Sequence, residues 1–342
     1  MQTLCLSERD NASIEQAARI IRAAGLVAFP TETVYGLGGN ALDAAAVMKI
    51  FTAKERPVWD PLIVHLVSRE MLEPLIANPP AQFDKLFAAF MPGPLTVVLL
   101  KSALIPDVVT AGRKSVAVRF PLHPVAQRLI AATGLPLAAP SANRFQRVSP
   151  TTAEHVLDDL DGRIDAILDG GSCPIGVEST VLDLTGDVPF ILRKGAITLE
   201  QLQQALGEVV LADPDGVSYR HGGLPSPGMM SRHYAPRTKL LLVEGREKAL
   251  AEKAQQVSKQ KLGALLPSGW NISAATIFDW GQWRDWAKLA SRLYAGLRCL
   301  DEQSLDVIIA PLPPEEGLGG AIRERLLKAS GLEMDHSALF DC

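Results

Sequence analysis

The sequence contains few cysteines and no long apolar run. Its four cysteines, Cys5, Cys173, Cys299 and Cys342, form no C-x-x-C pair, so neither a disulfide framework nor a thiolate zinc site is indicated. No apolar run approaches the roughly 20 residues that cross a bilayer. The segment MQTLCLSERDNAS carries acidic and polar residues where a signal peptide has a basic region and an apolar core. We therefore expect a soluble, cytoplasmic protein that does not contact membranes.

Positive charge is not in excess, and the histidines form no familiar metal or catalytic pattern. The formal net charge is −4, so affinity for a nucleotide or a nucleic acid requires a local cluster of Lys and Arg. The 6 histidines include no H-x-x-x-H pair and no arrangement typical of a catalytic triad. We predict no metal ligands in the chain. Its chemistry must then depend on positioning and electrostatics, which suffice for phosphoryl and nucleotidyl transfer.

The length of the chain predicts two domains. Its 342 residues exceed the roughly 250 to 300 residues that one hydrophobic core usually serves. Residues 1–207 alternate short β patterns and helical patterns without a regular βαβ rhythm, which predicts an α/β domain with a twisted, mixed sheet. Residues 208–238 are rich in glycine and proline and predict a long linker. Residues 239–342 alternate strands and helices regularly, which predicts a smaller Rossmann-like α/β domain with a parallel sheet.

Individual elements follow from the hydrophobic pattern. Capping-box spacings at Ser13 with Gln16 and at Thr198 with Gln201 predict the starts of two helices. In the first region the strand patterns are 26–29, 62–67, 96–100, 116–119, 164–168, 180–184 and 190–193, and the helical patterns are 44–53, 81–90, 124–132 and 153–157. In the second region strands are predicted at 239–243, 262–267, 275–278 and 305–310, and helices at 283–300 and 319–330.

A glycine-rich segment, FPTETVYGLGGNALD at residues 29–43, lies between a predicted strand and a predicted helix. Its glycines have the spacing G-x-G-G, whereas a P-loop requires G-x-x-x-x-G-K-[ST] and a dinucleotide turn requires G-x-G-x-x-G. We predict that Gly36, Gly38 and Gly39 form a tight bend beside a neighbouring backbone and do not hold phosphate. The polar side chains ahead of them, at 31–35, suit a ligand pocket.

Cationic and hydroxyl side chains occur at the ends of several predicted strands. Each group has an ordinary explanation as a helix C-terminus, a buried core histidine or a solvated loop. Together they predict a concave, basic site on a mildly acidic protein. The segments are KERPVWDPLIVH with Lys54, Arg56, Asp60 and His65, AGRKSVAVRFP with Arg113, Lys114 and Arg119, PSANRFQRVS with Ser141, Asn143, Arg144, Arg147 and Ser149, GVEST with Glu178, Ser179 and Thr180, and LRK with Arg193 and Lys194.

Seven segments occur in the order found in one enzyme family. TETVYGLG, K-x-R with DPLIVH, PGPLTVVL, VAVRFP, APSAN, GVESTV and ILRKG resemble the YrdC-like domain of threonylcarbamoyl-AMP synthases. SPGMMSRHYAP in the linker and GLGGAIRERLLKAS in the last region are similar to the longer, two-domain form of that family. The resemblance covers nearly the whole chain. Met229 and Met230 stand where many relatives have an aromatic or basic residue, a departure that concerns the linker contacts alone.

The resemblance implies a nucleotidyltransferase that makes L-threonylcarbamoyl-AMP and pyrophosphate from L-threonine, bicarbonate or CO2, and ATP with Mg2+. The product would serve threonylcarbamoyladenosine modification of tRNA, so tRNA and the proteins that transfer the threonylcarbamoyl group are candidate partners. Family positions that would hold L-threonine match Thr33, His65, Arg119, Ala139 and Ser179. Those that would hold ATP match Arg56, Asp60, Ser115, Ser141, Asn143, Ser149 and Arg193, together with the linker residues Ser226, Arg232 and Tyr234, which would close over the nucleotide. Lys54, Arg56 and Arg193 would be the catalytic cations.

Two other functions fit parts of the sequence. A basic concave surface could bind double-stranded RNA through its phosphates without any catalysis. Aromatic residues are only 6% of the chain, which counts against single-strand recognition by base stacking. A YrdC-like domain could also use carbamoyl phosphate, but the proteins that do so usually carry an acylphosphatase-like segment and zinc-finger cysteines, which this sequence lacks.

Overall fold

The computed structural model describes residues 2–211 and 232–331. The chain forms two compact units. The first comprises Met1–Phe145 and Ser149–Met229, and the second comprises Gln146–Val148 and Met230–Cys342. Most of the linker predicted at 208–238 lies outside the described residues.

The first unit contains strands and helices that alternate irregularly along the chain. Its strands are β1 (Leu4–Ser7), β2 (Val27–Phe29), β3 (Gly36–Asn40), β4 (Ile63–His65), β5 (Leu95–Leu100), β6 (Ser115–Arg119), β7 (Leu137–Ala138), β8 (Ala166–Asp169), β9 (Thr180–Asp183), β10 (Phe190–Arg193) and β11 (Val210–Leu211). Its helices are α1 (Asn11–Arg22), α2 (Ala44–Lys54), α3 (Arg69–Leu72), α4 (Ala81–Phe90), α5 (Asp107–Thr110), α6 (Pro124–Thr133), α7 (Ala153–Leu160) and α8 (Leu199–Leu206).

The strands of the first unit form one mixed sheet. Their order is β1-β8-β2-β3-β7-β4-β6-β5-β9-β10-β11. At its centre β4 pairs with β6 in parallel, β6 with β5 in antiparallel and β5 with β9 in parallel. One face of these strands, with Val64, Val97, Val118 and Leu182, lies in the main hydrophobic core. Because side chains alternate between faces along a strand, the intervening residues project from the other face.

The helix starts confirm one capping prediction and overturn the other. At α8 the Thr198 hydroxyl accepts from the Gln201 backbone and the Gln201 side chain accepts from the Thr198 backbone, which is the predicted capping box. The capping box expected at Ser13 is wrong, because α1 begins at Asn11 and its N-cap is Asp10. Ser13 instead lies inside the helix and is buried.

The three glycines predicted to form a bend form a strand instead. Gly36, Gly38 and Gly39 belong to β3, which pairs in antiparallel with β2. The close neighbour at Gly38 is a side chain and not the predicted backbone, because a Cβ atom would lie 2.7 Å from Phe29 Cε1. Because Gly38 has no side chain, the ring of Phe29 can pack against β3. The prediction of a bend at these glycines was wrong.

The second unit alternates strands and helices regularly. Its elements are β12 (Lys239–Glu244), α9 (Glu247–Gln256), β13 (Leu262–Pro267), β14 (Thr276–Gly281), α10 (Trp286–Asp301), β15 (Val307–Leu312) and α11 (Gly317–Ser330). The strands form a parallel sheet in the order β12-β15-β13-β14. The fold class predicted from the sequence, a mixed twisted sheet with a smaller parallel α/β unit, is confirmed. Within the described ranges, no helix is both long and apolar enough to span a bilayer.

Candidate active site

Three polar side chains form a row across the centre of the large sheet. His65 at the end of β4 lies opposite Arg119 at the end of β6, and Arg119 lies opposite Thr96 on β5. Residues in register on adjacent strands project from the same face. All three are buried. This face is the one opposite the main core, so two of the predicted threonine-binding residues lie side by side on it.

Arg119 is held by a carboxylate that the sequence analysis did not single out as a site residue. Its Nη2 atom lies 2.6 Å from Glu32 Oε1, and both side chains are about 5% exposed. Glu32 Oε2 also accepts from the Leu122 backbone amide at 3.0 Å. Among the described residues Arg119 Nε has no hydrogen-bond partner. Glu32 thus fixes one edge of the guanidinium and leaves Nε available to an anionic ligand.

His65 is neutral at physiological pH. Burial, with Arg119 close by, lowers its pKa from 6.5 to about 3. Its Nδ1 atom lies 3.3 Å from the Ile63 carbonyl oxygen, which can only accept, so Nδ1 carries the proton. In a neutral imidazole the other nitrogen, Nε2, is then an acceptor. His65 is suited to take a hydrogen bond from a hydroxyl or an amine.

Ser179 is fixed from two sides just before β9. Its hydroxyl lies 2.7 Å from the hydroxyl of Thr96. Arg193, at the end of β10, donates from Nε and Nη2 to the Ser179 carbonyl at 3.1 and 3.0 Å, and from Nη2 to Ser179 Oγ at 3.1 Å. The arrangement joins a predicted threonine-binding residue directly to a predicted nucleotide-binding residue.

A small apolar surface lies on the same sheet face. Ile63, Val98, Ala117 and Val181 form a buried cluster separate from the main core. Ser115 begins β6 and Arg119 ends it, so the two share a face and lie about 13 Å apart at about 3.3 Å per residue. A ligand along β6 would have an anchoring cation at one end, an apolar floor and a hydroxyl at the other end.

One buried carboxylate, Asp60, pairs with Arg56 and also feels the charges of the other two predicted catalytic cations. Arg56 Nη2 is 2.8 Å from Asp60 Oδ1, and neither side chain is more than 3% exposed. Arg56 also donates to the carbonyls of Asp60 and Pro61 at 3.2 and 2.8 Å. Burial raises the pKa of Asp60, and the positive charges of Arg56, Lys54 and Arg193 oppose that rise. The charges of all three cations therefore act on the Asp60 carboxylate.

The side chain of Lys54 stabilises the S-x-N segment, which comprises Ser141, Ala142 and Asn143. It is the last residue of α2, and its ammonium donates to the backbone carbonyls of Ser141 and Asn143. Its own carbonyl accepts from the Phe145 amide at 2.8 Å. Burial, with the nearby charge of Arg56, lowers the pKa of Lys54 well below its usual value. Lys54 therefore stabilises the backbone of residues 141–145.

Ser149 donates its hydroxyl proton to a buried carboxylate. Its Oγ lies 2.6 Å from Glu178 Oε1. Ser149 and Glu178 are both buried, and Glu178 directly precedes Ser179. The bond connects the loop that follows the S-x-N segment to the segment that carries the predicted threonine site.

The remaining predicted threonine-binding residues are fixed through their backbones. Thr33 is fully buried, its hydroxyl is 2.8 Å from that of Thr31, and its carbonyl accepts from the Gly176 amide at 3.1 Å. Ala139 follows β7 and donates its amide to the Ile63 carbonyl at 2.9 Å. The TETV segment is thereby tied to the GVEST segment, and Ala139 is tied to the strand that carries His65.

Of the predicted linker residues, Arg232 and Tyr234 belong to the second unit and Ser226 lies outside the described residues. Tyr234 is buried, has a left-handed φ of 61° and stacks on Tyr294 with ring centroids 5.8 Å apart. The Arg325 guanidinium lies 5.3 Å from its ring. Arg232 is exposed. The second unit thus holds Tyr234 firmly between α10 and α11 side chains.

The described ranges contain no group of three or more His, Cys, Asp or Glu side chains arranged to hold a metal ion. Two buried carboxylates in the candidate site have partners: Asp60 pairs with Arg56 through Oδ1, and Glu178 accepts from Ser149.

Two family models match consecutive parts of the chain. The model described as "Telomere recombination" matches residues 19–195. The model described as "Threonylcarbamoyl-AMP synthase, C-terminal domain" matches residues 197–331.

Relatives named threonylcarbamoyl-AMP synthase match over nearly the full length. The one from Pyrococcus abyssi is 44% identical and the alignment covers 93% of this chain and 94% of the relative. The one from Bacillus subtilis is also 44% identical, with 93% of each chain covered. A crystal structure of P. abyssi Sua5 complexed with L-threonine superimposes with a TM-score of 0.90 at 43% identity, covering 97% of this chain and 98% of that one.

Proposed function

The chain belongs to the threonylcarbamoyl-AMP synthase family, in the form with a C-terminal domain, and is an enzyme of the nucleotidyltransferase type; from this premise we propose that it makes L-threonylcarbamoyl-AMP. The substrates are L-threonine, bicarbonate or CO2, and ATP, and the products are the adenylate and pyrophosphate. When bicarbonate is the source of carbon, one water molecule is also released.

The observation that carries this proposal is the contact between Ser179 and Arg193. Ser179 belongs with His65 and Arg119 in the row that suits an amino acid. Arg193 is, with Lys54 and Arg56, one of the predicted catalytic cations, and the charges of all three oppose the rise in the pKa of Asp60. The hydrogen bonds from Arg193 to Ser179 therefore support an amino acid and a triphosphate bound side by side.

L-Threonine is held by residues of complementary chemistry. The Nε and Nη groups of Arg119 suit its carboxylate, and the Ser179 hydroxyl adds a further donor. Neutral His65 offers Nε2 as an acceptor to a hydroxyl or an amine. Thr33 and Ala139 line the same pocket. The P. abyssi protein crystallised with L-threonine, at 43% identity, supports this choice of amino acid.

ATP is held by Arg56, Asp60, Ser115, Ser141, Asn143, Ser149 and Arg193, and Lys54 orders the loop that carries two of them. Magnesium enters with the triphosphate and neutralises part of its charge. The apolar floor along β6 suits the nucleoside, because Ile63, Val98, Ala117 and Val181 offer no polar side chain to compete with it.

The reaction proceeds in two steps. The amine of L-threonine adds to CO2 and loses a proton, which gives a carbamate. A carbamate oxygen then attacks the α-phosphorus of ATP, the bond from that phosphorus to the bridging oxygen breaks, and pyrophosphate leaves with the electron pair. Arg56 and Arg193 stabilise the charge of two anions brought together, and removal of one such donor typically costs about 3 to 4 kcal/mol of transition-state stabilisation.

The domain boundaries predicted from the sequence also remain part of this proposal. Residues 1–207 form the catalytic domain, 208–238 a lid and 239–342 the small domain. The contribution of Ser226, Arg232 and Tyr234 to nucleotide binding stays a prediction from the sequence, and a lid over the nucleotide would exclude water from a labile intermediate. The product is consumed in threonylcarbamoyladenosine formation on tRNA in the cytoplasm, so tRNA or the transfer proteins are the partners.

The test is to mix the protein with magnesium ATP, bicarbonate and each amino acid in turn and to measure pyrophosphate. The proposal predicts release that depends on L-threonine and on bicarbonate. Release that is independent of the amino acid, or that is selective for a different one, would overturn it.

A further inference from the structure

Thr96 and Ser179 share a hydrogen bond within the sheet. Their hydroxyl oxygens are 2.7 Å apart and both residues are fully buried. Thr96 lies on β5, which pairs in parallel with β9, and the Thr180 amide donates to the Pro94 carbonyl at 3.0 Å. The backbone on both sides is therefore fixed, so the distance between the two hydroxyls is set by the sheet.

The direction of this hydrogen bond follows from the other partners. Ser179 Oγ already accepts from Arg193 Nη2 at 3.1 Å. In the described part of the chain Thr96 Oγ1 has no hydrogen-bond partner other than Ser179. Leaving a buried O–H proton unpaired costs more than leaving one lone pair unused. Either hydroxyl could donate in the pair alone. Once a ligand oxygen accepts from Ser179, both protons are paired only if Thr96 is the donor, and Ser179 Oγ then accepts from both Thr96 and Arg193.

A hydroxyl that accepts two hydrogen bonds directs its own proton away from both donors. Each of those bonds also polarises the Ser179 O–H group and makes it a better donor. No other protein acceptor for this proton lies among the described residues. The acceptor for the Ser179 hydroxyl proton is then an anionic oxygen of a bound ligand.

We propose that Thr96 is a positioning residue that orients the Ser179 hydroxyl toward the carboxylate of the amino-acid substrate. This inference rests on the proposed function, since it takes the ligand beside Ser179 to be an amino acid. Thr96 acts through Ser179 and does not touch the substrate itself. It should affect the amino acid and not the nucleotide.

The test compares Thr96→Val, which keeps the shape but removes the donor, with Thr96→Ser, which keeps the donor. We expect the KM for L-threonine to rise about five- to thirtyfold in Thr96→Val, with the KM for ATP unchanged and Thr96→Ser close to the unsubstituted protein. If Thr96→Val does not fold, Thr96→Cys replaces it, because a thiol is a weak donor. Thr110→Val is the matched control, since Thr110 is also buried and its hydroxyl donates to the Asp107 and Arg113 backbone carbonyls, away from the candidate site residues.

A double-substitution cycle tests the route through Ser179. In a Ser179→Ala background, Thr96→Val should cause no further loss. An equal loss in both backgrounds, an unchanged KM for L-threonine in Thr96→Val, or an equal rise in both KM values would overturn the inference. These outcomes presuppose threonine-dependent pyrophosphate release by the unsubstituted protein. If that protein shows none, the proposed function fails first, so the two failures are distinguishable.

Discussion

Arg56 and Asp60 form an ion pair at 2.8 Å that is almost completely buried. Arg56 is also one of the cations proposed to act on the triphosphate, so a single side chain serves both the fold and the reaction. Any substitution of Arg56 removes a proposed catalytic charge and at the same time leaves a buried carboxylate without its partner. Experiments on this residue must separate the two effects.

A pair of variants separates them. We expect Arg56→Met to lower the free energy of unfolding by about 3 to 5 kcal/mol, because Asp60 is left uncompensated. The double variant Arg56→Met with Asp60→Asn should recover most of that stability, measured by denaturant unfolding. Neither variant should release pyrophosphate in a threonine-dependent manner. Activity in the restored double variant would remove Arg56 from the mechanism.

Lys54 holds the backbone of the S-x-N segment, and its loss should therefore affect the nucleotide more than the amino acid. Lys54→Met removes the ammonium that donates to the Ser141 and Asn143 carbonyls, which should cost about 1 to 3 kcal/mol of stability. We expect the KM for ATP to rise at least tenfold, while L-threonine binding by calorimetry stays within about twofold. Lys49→Met is the control, since Lys49 caps an exposed carbonyl at Ala24. Equal effects on both substrates would contradict the assignment.

Gly195 lies against the backbone of Ser179 and Thr180 in the GVEST segment. A Cβ atom there would be 2.2 Å from the Thr180 nitrogen and 2.6 Å from the Ser179 carbonyl carbon. Gly195→Ala must therefore displace Ser179, at a cost of about 1 to 3 kcal/mol for overpacking, and we expect a large loss of activity. Gly186→Ala is the matched control, because the nearest atom would be 4.0 Å away. The comparison is made by thermal unfolding and by pyrophosphate release, and full activity in Gly195→Ala would show that this packing does not matter.

The neutral state of His65 predicts a dependence of stability on pH. Its pKa is about 3 in the folded protein against 6.5 for an ordinary histidine, so between these values the unfolded chain takes up a proton and the folded chain does not. The titration of His65 therefore leaves the free energy of unfolding nearly unchanged above pH 6.5 and lowers it as the pH falls below that value. We expect the free energy of unfolding to drop by about 2 kcal/mol more between pH 7 and pH 5 in the unsubstituted protein than in His65→Gln. Parallel curves for the two proteins would show that His65 is not held neutral.

Some site residues could be predicted from the sequence and others could not. Arg119 could be selected from the sequence because it ends a predicted strand in a segment that also carries Arg113 and Lys114, and β6 does end at Arg119. Thr96 could not be predicted as a site residue, because threonine is common in strands. The register of β5, β6 and β9 brings it between Arg119 and Ser179.

Long-range pairing explains the other differences. Glu32 was noticed as a polar residue in an apolar stretch, but its bond to Arg119 joins positions 87 residues apart, which no local pattern reports. The glycines of β3 were expected to turn because glycine disfavours strands. Tertiary packing of Phe29 against Gly38 outweighed that preference.

The central claim is that an amino acid and an adenine nucleotide react in one site of the first unit. The most direct measurement is mass analysis of the product formed from L-threonine, magnesium ATP and ¹³C-labelled bicarbonate. We expect an adenylate that contains the threonyl group and one ¹³C atom, formed in an amount equal to that of pyrophosphate. Pyrophosphate without a ¹³C-labelled adenylate, or a labelled adenylate that lacks the amino acid, would contradict it.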